Sequence, residues 1–403
     1  MCIRDRARIS DLANLLIQNN HKVKILTNFP HYPKGKIFEG YKNGLFMHEK
    51  KDGLDIYRTW VFIAPNKGFL KRIINHLSFM LSSLIIGSWL VGKCEVVITE
   101  SPPLFLGVAG YLLSKLKRAK FIFNVADLWP ESAVEIGALN NLFLIRLSNY
   151  LANFIYSKAH LITVPNASQK KILEKKDIAS GKIMHISNGV NTKLFTFVNT
   201  NGFIKEYSLV GKFIVLYSGT HGMSQGLDVV LEAAGCLNDV SDLLFLFVGE
   251  GAEKDRLVRK KFEMRLKNVL FIPSQPRLRM PEIISSANIC LVPLRNLKLF
   301  EGAVPSKIFE YMSCKRPIIL GVKGEAEIML EKAKAGICVQ PESAKDLYQA
   351  IKRLYEDAHL REAMGNNGRE YVEKHFNRKH LALKLEESLV DLTKYVGKTC
   401  NDG

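Results

Sequence analysis

The feature that most constrains the fold is a double series of short apolar runs rich in β-formers, each separated from the next by a helical pattern. In the first half these runs lie at 22–27, 54–59, 95–99, 120–125, 160–164 and 182–186. After a stretch rich in Asn, Thr and Gly (187–203), six more follow: FIVLYS, LLFLFVG, NVLFI, NICLVPL, RPIILG and GICVQ. Strands that alternate with helices are typical of parallel sheets. The pattern predicts an α/β protein with two doubly wound domains.

The length of 403 residues also suits two domains, each with its own core. We predict one domain at 1–198 and a second at 199–375, followed by a C-terminal helix at 376–403 that packs back on the first domain. The first domain opens with the helical pattern ARISDLANLLIQNNHKV. A doubly wound domain normally opens with a strand and a glycine-rich loop, so we expect the first strand to be missing here.

Charge and cysteine usage exclude several classes of protein. The net charge of +18 comes mostly from residues 1–200, which contain 27 Lys and Arg against 13 Asp and Glu. A basic surface attracts polyanions, but no RNA- or DNA-binding signature accompanies it, so nucleic acid is not expected as a partner. Seven scattered cysteines without a C-x-x-C pair, and ten histidines without H-E-x-x-H, argue against disulfides and a metal site and fit the cytosol.

A glycine-rich turn opens the second domain. Gly219, Gly222 and Gly226 follow the strand FIVLYS and precede a helix. Such glycines allow a ligand to approach the backbone, and the helix start offers amide groups to an anion. The alternative is a plain tight turn, and the spacing is not the dinucleotide fingerprint G-x-G-x-x-G, which argues against a nicotinamide enzyme.

A second candidate follows the strand NICLVPL, beyond the carboxyl end of the sheet where open α/β sheets bind ligands. Pro305 suits the first turn of a helix, and Ser306 and Lys307 supply amides and a cation for a diphosphate. Glu310 lies one turn further on the same side, where its carboxylate can accept hydrogen bonds from the hydroxyls of a ribose. The alternative is a solvated Lys–Glu pair, worth only about 0.3 to 0.5 kcal/mol.

These motifs, together with VGEGAEKDRL, NVLFIPSQPRLRMPEIISSANICLVPL and VPSKIFEYMSCKRPII, resemble glycosyltransferase family 4, which has the GT-B fold. In the first domain, NFPHYPKGKIFEGY, DLWPESAVEIG and NGVNTKLF are similar to the branch that transfers sugars such as N-acetylfucosamine in bacterial surface-polysaccharide assembly, including O-antigen and capsule. The resemblance covers nearly the whole chain from Ala7.

The resemblance implies a retaining transferase with a cleft between the two domains. The second domain would bind a nucleotide-sugar such as a UDP-sugar, without a metal, and the first a lipid-diphosphate-linked saccharide acceptor. Glu310 would hold the ribose, Ser306 and Lys307 the diphosphate, and the loop Gly219–Gly222 would face the phosphates. The strand end at Phe271, Ile272 and Ser274 would read the base. The implied sugar is an N-acetylated deoxyhexosamine or hexosamine.

The sequence departs from the family pattern at the donor site. The usual E-x7-E would place a glutamate at 302, but Gly302 stands there and Glu301 is one residue out of register. The Arg and Lys common in the glycine loop are replaced by Thr220, His221 and Gln225. We therefore expect Lys307, backbone amides and Arg295 to meet the charge of the leaving group.

Candidates on the acceptor side come from the motifs of the first domain: His31, Tyr32, Lys34, Trp129 and Glu131. Asp127 ends a strand that faces the expected cleft, so it is a candidate to orient or deprotonate the acceptor hydroxyl. The equally weighted alternative is that Asp127 caps the following helix. A front-face mechanism, in which the leaving phosphate takes the proton, also stays open.

The segment NKGFLKRIINHLSFMLSSLIIGSWLVGK (66–93) raises the question of a membrane. It has the length of a bilayer span, but Asn75, His76, serines and glycines lower its apolar content. Lys67, Lys71 and Arg72 lie at one end of it. We expect an interfacial or acceptor-binding helix, with a buried helix and a true span as alternatives. Because the branch that the sequence resembles uses lipid-diphosphate-linked acceptors, we expect a cytoplasmic protein attached peripherally to the inner face of the cytoplasmic membrane.

Two other functions remain open from the sequence. A non-hydrolysing nucleotide-sugar epimerase has the same two-domain fold and ligand, but it does not account for HYPKG and DLWPES. A basic surface-binding protein without catalysis leaves Lys307 and Glu310 without a role.

Overall fold

The computed structural model describes residues 3–31, 35–51, 53–63, 69–135, 137 and 139–394. The chain divides into two compact units. One contains Met1–Ser187 with Lys379–Gly403, and the other contains Asn188–Arg378.

The helices and strands of the first unit are α1 (Ile3–Gln18), β1 (Lys24–Asn28), β2 (Phe46–Lys51), β3 (Leu54–Thr59), α2 (Phe69–Leu90), β4 (Val96–Ser101), α3 (Phe105–Lys117), β5 (Lys120–Val125), α4 (Glu131–Glu135), α5 (Leu142–Lys158), β6 (Leu161–Val164), α6 (Ala167–Glu174) and β7 (Ile183–His185). Those of the second unit are α7 (Asn201–Glu206), β8 (Phe213–Ser218), α8 (Asp228–Cys236), β9 (Leu243–Val248), α9 (Lys254–Glu263), β10 (Val269–Ile272), α10 (Met280–Ser286), β11 (Ile289–Pro293), α11 (Lys307–Ser313), β12 (Ile318–Gly321), α12 (Glu325–Ala333), β13 (Gly336–Cys338), α13 (Ala344–Glu356) and α14 (Ala358–His375); α15 (Arg378–Lys394) then returns to the first unit.

The sheet of the second unit is parallel throughout, in the order β10-β9-β8-β11-β12-β13. Strand β8 shows why the sheet has helices on both faces. Its side chains alternate between two cores, with Ile214 and Leu216 in one and Val215 and Tyr217 in the other. A strand buried on both faces is a continuous apolar run, and this is why the six strands are visible in the sequence.

The first unit contains two sheets instead of the single parallel sheet that the sequence pattern suggests. One has the order β1-β3-β2 and the other β4-β5-β6-β7. The pattern does not predict β2, which pairs antiparallel with β3 and has the polar sequence FMHEKK. A half-exposed strand lacks the apolar run on which the prediction relied.

Helices cover both faces of the four-stranded sheet. Phe121 and Phe123 of β5 pack on one side in a core that includes Ile155 of α5, whereas Ile122 packs on the other side with Leu385 of α15. The α/β class with C-terminal helices that the sequence predicts is confirmed.

Helix α2 lies against the first sheet and against α3. Gly87 approaches Leu26 of β1, and the Ser82 hydroxyl donates to the Trp60 carbonyl oxygen at 2.5 Å. Within the described residues, one helix, Lys71–Leu90, is long and apolar enough to cross a bilayer, judged by length and composition alone. Its mean hydropathy is 1.5, and 28% of it is buried inside the protein.

Candidate functional site

The strand order places two loops of the second unit side by side. Strands β8 and β11 are neighbours, and the chain leaves β8 toward β9 on one side and β11 toward β12 on the other. This reversal is the point where open α/β sheets bind ligands, just beyond the carboxyl ends of the strands. The glycine loop follows β8 and the start of α11 follows β11, so the structure brings the two sequence-predicted motifs together at this point.

Gly219 and Lys307 form the contact between these loops. Gly219 has φ +143°, and a Cβ added there would lie 2.9 Å from Lys307 Nζ and 3.4 Å from its Cε. Because Gly219 has no side chain, the Lys307 side chain can lie against its backbone. The Gly219 amide donates to the carbonyl oxygen of Val248, which fixes the loop to the end of β9.

Lys307 is a buried cation. It is only 9% exposed, and its Nζ lies 4.0 Å from the centroid of the Tyr217 ring. A cation over an aromatic face is stabilised by the ring quadrupole, more strongly when the pair is desolvated. The ammonium group is thus held in one place, over Tyr217 and against the backbone of Gly219.

Two tyrosines that the sequence reasoning missed position these elements. The Tyr217 hydroxyl lies 2.7 Å from the Thr220 carbonyl oxygen and 3.1 Å from Gln225 Oε1, so it donates within the glycine loop. The fully buried Tyr311 of α11 accepts a hydrogen bond from the Ser218 amide at 3.0 Å. The available signals in the sequence were Tyr311, one turn after Lys307, and Tyr217, just before the glycines. Each of these tyrosines also fits an ordinary residue of the hydrophobic core.

Ser306 immediately precedes α11 and is 4% exposed. Among the described residues, its Oγ has no hydrogen-bond partner. A buried hydroxyl without a partner costs free energy, and an oxyanion bound beside it would remove that cost. Glu310 lies in the first turn of α11 and is partly buried.

His221 has no exposed surface, and neither of its ring nitrogens has a hydrogen-bond partner among the described residues. Its ring contacts Tyr217, Phe247 and Phe271. Burial, followed by the charges of nearby lysines, lowers its pKa to about 4. The imidazole is therefore neutral near pH 7, and its backbone anchors the loop because its amide donates to the Glu250 carbonyl oxygen at 2.9 Å.

The remaining donor-side candidates surround this loop. Arg295 is exposed, and its amide donates to the Ser224 carbonyl oxygen at 3.0 Å, next to Gln225. Gly222 precedes the 3-10 turn Met223–Gln225. Glu301 lies on another 3-10 turn, Lys298–Gly302, with an exposed side chain.

The end of β10 contributes an aromatic wall and an exposed tip. Phe271 stacks on Phe247 with ring centroids 4.7 Å apart, and Ile272 is buried with its carbonyl oxygen accepting from the Gly249 amide. Ser274 is exposed. The aromatic rings therefore support the glycine loop through their contact with His221. Ser274 is the exposed residue beyond the end of β10.

The acceptor-side candidates lie in the first unit. His31 is buried, with Nδ1 2.8 Å from the Phe29 carbonyl oxygen and Nε2 3.1 Å from Asn75 Nδ2, so both ring nitrogens are engaged. Trp129 packs against the core, and Glu131 pairs with Lys176. Tyr32 and Lys34 lie outside the described residues.

Asp127 is exposed and follows the carboxyl end of β5. The next helix, α4, begins at Glu131.

One group of potential metal ligands occurs among the described residues, formed by Glu327, Glu331 and Cys338. Burial, together with both carboxylates, raises the pKa of the Cys338 thiol to about 12. Lys323 pairs with Glu327 at 2.7 Å. A protonated thiol beside a carboxylate already engaged by a lysine is a poor ligand set, and this group belongs to α12 and β13, separate from the two loops.

Comparison with known proteins finds a matching family model and similar relatives. Residues 202–371 match the family model described as Glycosyl transferases group 1. The chain is 24% identical over 383 residues to the putative colanic acid biosynthesis glycosyl transferase WcaI of Escherichia coli K12, and the match covers 92% of each protein.

Two solved structures have a similar fold. Sucrose-phosphate synthase from Thermosynechococcus elongatus has a TM-score of 0.74 at 20% identity, with 97% of this chain and 94% of that chain covered. HepE of Anabaena, solved in complex with UDP-glucose, has a TM-score of 0.64 at 15% identity, with 83% and 86% covered. The second unit of this chain therefore carries a glycosyl transferases group 1 domain, and the chain has the GT-B fold.

Proposed function

We propose that this protein is a retaining glycosyltransferase of bacterial cell-surface polysaccharide synthesis. It moves an N-acetylated deoxyhexosamine or hexosamine from a nucleotide diphosphate to a lipid-linked saccharide. One observation carries the proposal: the buried Lys307 ammonium lies against the Gly219 backbone at the point where the strand order of the second unit reverses. Its similarity to WcaI along 92% of the chain supports the class of reaction.

The donor diphosphate suits the space between the two loops. Gly219 presents only backbone there, the Ser306 hydroxyl lacks a partner among the described residues, and Lys307 brings one positive charge. A phosphate oxygen would accept from the hydroxyl and the ammonium group together, through charge-assisted hydrogen bonds. The UDP-glucose of HepE, which has the same fold, supports a nucleotide-sugar as donor.

Each residue then has a distinct role in the reaction. When the bond from the sugar to the diphosphate breaks, negative charge grows on the leaving oxygen, and Lys307 stabilises it. Arg295 can add a second cation from the exposed edge of the site. Glu310, one turn into α11, accepts hydrogen bonds from the ribose hydroxyls, and the tip of β10 at Ser274 meets the base.

The acceptor belongs to the first unit. Asp127, exposed after β5, orients or deprotonates the acceptor hydroxyl, and Trp129 and Glu131 follow in the same loop. Replacing Asp127 with asparagine separates this role from a structural one. Loss of transfer with preserved donor binding would support catalysis, whereas unchanged transfer would refute it.

A panel of labelled nucleotide-sugars, assayed with and without a lipid-linked acceptor, tests the whole proposal. Transfer of the sugar supports it, whereas interconversion of the donor alone would indicate an epimerase, and no reaction would refute it. In the Lys307→Ala variant we expect turnover to fall about 100-fold. The matched control is Lys352→Ala, an exposed lysine of α13 paired with Glu356. Wild-type turnover in Lys307→Ala would refute the role of this lysine.

Donor binding can be measured separately by calorimetry. We expect Glu310→Ala to weaken binding of the nucleotide about tenfold, because two hydrogen bonds to a carboxylate are lost. Glu356→Ala, at the exposed end of α13, is the control. Unchanged affinity in Glu310→Ala would refute the placement of the ribose.

We also propose that the protein acts at the inner face of the cytoplasmic membrane without crossing it. One side of α2 packs on β1, β3 and α3, and its serines bond to backbone carbonyl oxygens. A helix with one side held in this way suits peripheral attachment better than a span.

A further inference from the structure

The outer side of α2 and α3 exposes an unusual amount of apolar surface. We define the α2–α3 face by its six exposed large apolar residues: Ile74, Leu81, Ile85 and Trp89 of α2, and Leu112 and Leu116 of α3. Trp89 is 86% exposed, Leu116 66% and Ile85 62%. Intervals of seven, four and four residues put each set on one side of its helix. Helix α2 packs on α3, so the two stripes are carried by neighbouring helices.

The helices that carry this face contain no acidic residue. The 22 residues of α2 and the 13 residues of α3 include no aspartate or glutamate, although they include Lys71, Arg72, Lys115 and Lys117. Lys71 and Arg72 stand at the beginning of α2, whereas the two lysines of α3 stand at its end. Each apolar stripe therefore has cations at one end of its helix.

More cations collect where α2 and α3 end and the next strands begin. Lys93 and Arg118 follow in the connecting turns and Lys120 begins β5, with Glu95 as an acidic neighbour. Burial, together with the nearby charges of Lys120, Lys115 and Lys182, lowers the pKa of His160.

The described contacts of these ammonium groups go to rings and carbonyl oxygens instead of carboxylates. Lys115 lies over the Tyr111 ring, and Lys182 donates to the Ser157 carbonyl oxygen at 2.8 Å. Their positive charge is therefore not cancelled by these contacts, and this side of the unit stays attractive to anions.

The combination of exposed apolar side chains and nearby cations discriminates among the partners that could bind the α2–α3 face. Nucleic acid would use the cations but not exposed leucines and isoleucines. A second copy that used the same face would bring two positive edges together, which costs energy in an isologous contact. A bilayer with anionic lipids satisfies both features, since apolar side chains and tryptophan enter the interface while lysines reach the phosphates.

We propose that the α2–α3 face docks on an anionic bilayer, with the axis of α2 parallel to the membrane. The proposal deepens the peripheral attachment given above and rests on the proposed function only in assuming an acceptor held in that membrane. It names Trp89 and Leu116 as inserted residues. The contacts to lipid phosphates are Lys115 and Lys117 at the end of α3 and Arg118 in the following turn.

Co-sedimentation with vesicles tests this face. The vesicles are phosphatidylcholine alone, or phosphatidylcholine mixed with phosphatidylglycerol. We expect the wild type to bind the mixed vesicles preferentially and less tightly at high salt, because salt screens the charges. Trp89→Glu and Leu116→Glu should each reduce partitioning about tenfold or more. Phe262→Glu is the matched control, since Phe262 of α9 in the second unit is 69% exposed.

Binding of both variants at the level of the Phe262→Glu control would overturn the proposal. So would equal binding to neutral vesicles. A dimer found by light scattering and lost in Trp89→Glu would assign the face to a second copy and also overturn it.

A second measurement guards against variants that fail to fold. The fluorescence of Trp89, obtained as the difference between the wild type and Trp89→Phe, should shift to the blue when phosphatidylglycerol vesicles are added. No shift would count against insertion.

Nucleotide affinity, measured by calorimetry on the same variants, separates this inference from the proposed function. We expect Trp89→Glu and Leu116→Glu to lose binding to vesicles and to keep their affinity for the nucleotide. If the wild type binds nucleotide but not vesicles, the docking face is refuted and the enzyme stands. If it binds vesicles but no nucleotide-sugar, the proposed function fails while docking stands.

Discussion

Replacing His221 with leucine tests whether a neutral, unpaired imidazole limits the stability of the second unit. The side chain has no exposed surface, and its nitrogens have no partner among the described residues. Burial first, and then the charge of Lys254, lowers its pKa to about 4. A leucine occupies a similar volume, suits the surrounding aromatic rings and cannot take up a proton.

The sign of the pH dependence follows from the two pKa values. In the unfolded chain the pKa of a histidine is near 6.5, so between pH 6.5 and 4 the unfolded state binds a proton that the folded state does not. The free energy of unfolding therefore falls as the pH falls through this window. From pH 7 to pH 5 the loss is about 2 kcal/mol. We expect His221→Leu to lack this loss.

Hydrogen exchange measured on peptides from β8 and β9 gives the opening free energy of the second unit directly. Tryptophan fluorescence cannot do so, because Trp60, Trp89 and Trp129 all belong to the first unit. A matched control is His76→Gln, since burial also lowers the pKa of His76 to about 4, but in the first unit. The reasoning is refuted if wild-type protection in β8 and β9 is the same at both pH values, or if its pH dependence survives in His221→Leu.

Two further predictions concern the frame of the donor site. Gly219→Ala should weaken nucleotide binding at least tenfold by calorimetry, because its Cβ would lie 2.9 Å from the Lys307 ammonium. The control is Gly211→Ala, which is also at positive φ but has nothing within 4 Å of the added Cβ, and it should leave the affinity unchanged. Equal effects of the two substitutions would point to backbone strain alone. Tyr311→Phe should lower the free energy of unfolding of the second unit by about 1 to 3 kcal/mol, because the buried Ser218 amide loses its acceptor. Denaturation followed by circular dichroism measures this, and an unchanged midpoint would contradict it.

The two loops of the candidate donor site were visible in the sequence because each is a local signal. A glycine turn follows a strand that is apolar on both faces, and Pro305 precedes a helix start at the end of another such strand. The order of the strands then places these two loops side by side. Sequence pattern and fold agree here, since doubly wound topology leaves little choice about which strands are neighbours.

The supports of that site were not visible. Tyr217 and Tyr311 stand among apolar neighbours. The ring of Tyr217 and the hydroxyl of Tyr311 acquire a role only when packing brings Lys307 and Ser218 beside them. Strand β2 was missed for a related reason, because FMHEKK owes its conformation to pairing with β3 and has no apolar run of its own. Tertiary partners decide such positions, and no local pattern encodes them.

The path of the chain through its two units affects how the protein can be made and recombined. The second unit is one unbroken segment, from Asn188 to Arg378, whereas the first is assembled from two segments, the later of which carries α15. On α15, Leu385 closes the core over Ile122 and Leu161. During synthesis the first unit can bury that core only after the second has left the ribosome, and a chimaera that exchanges first units must take α15 with them.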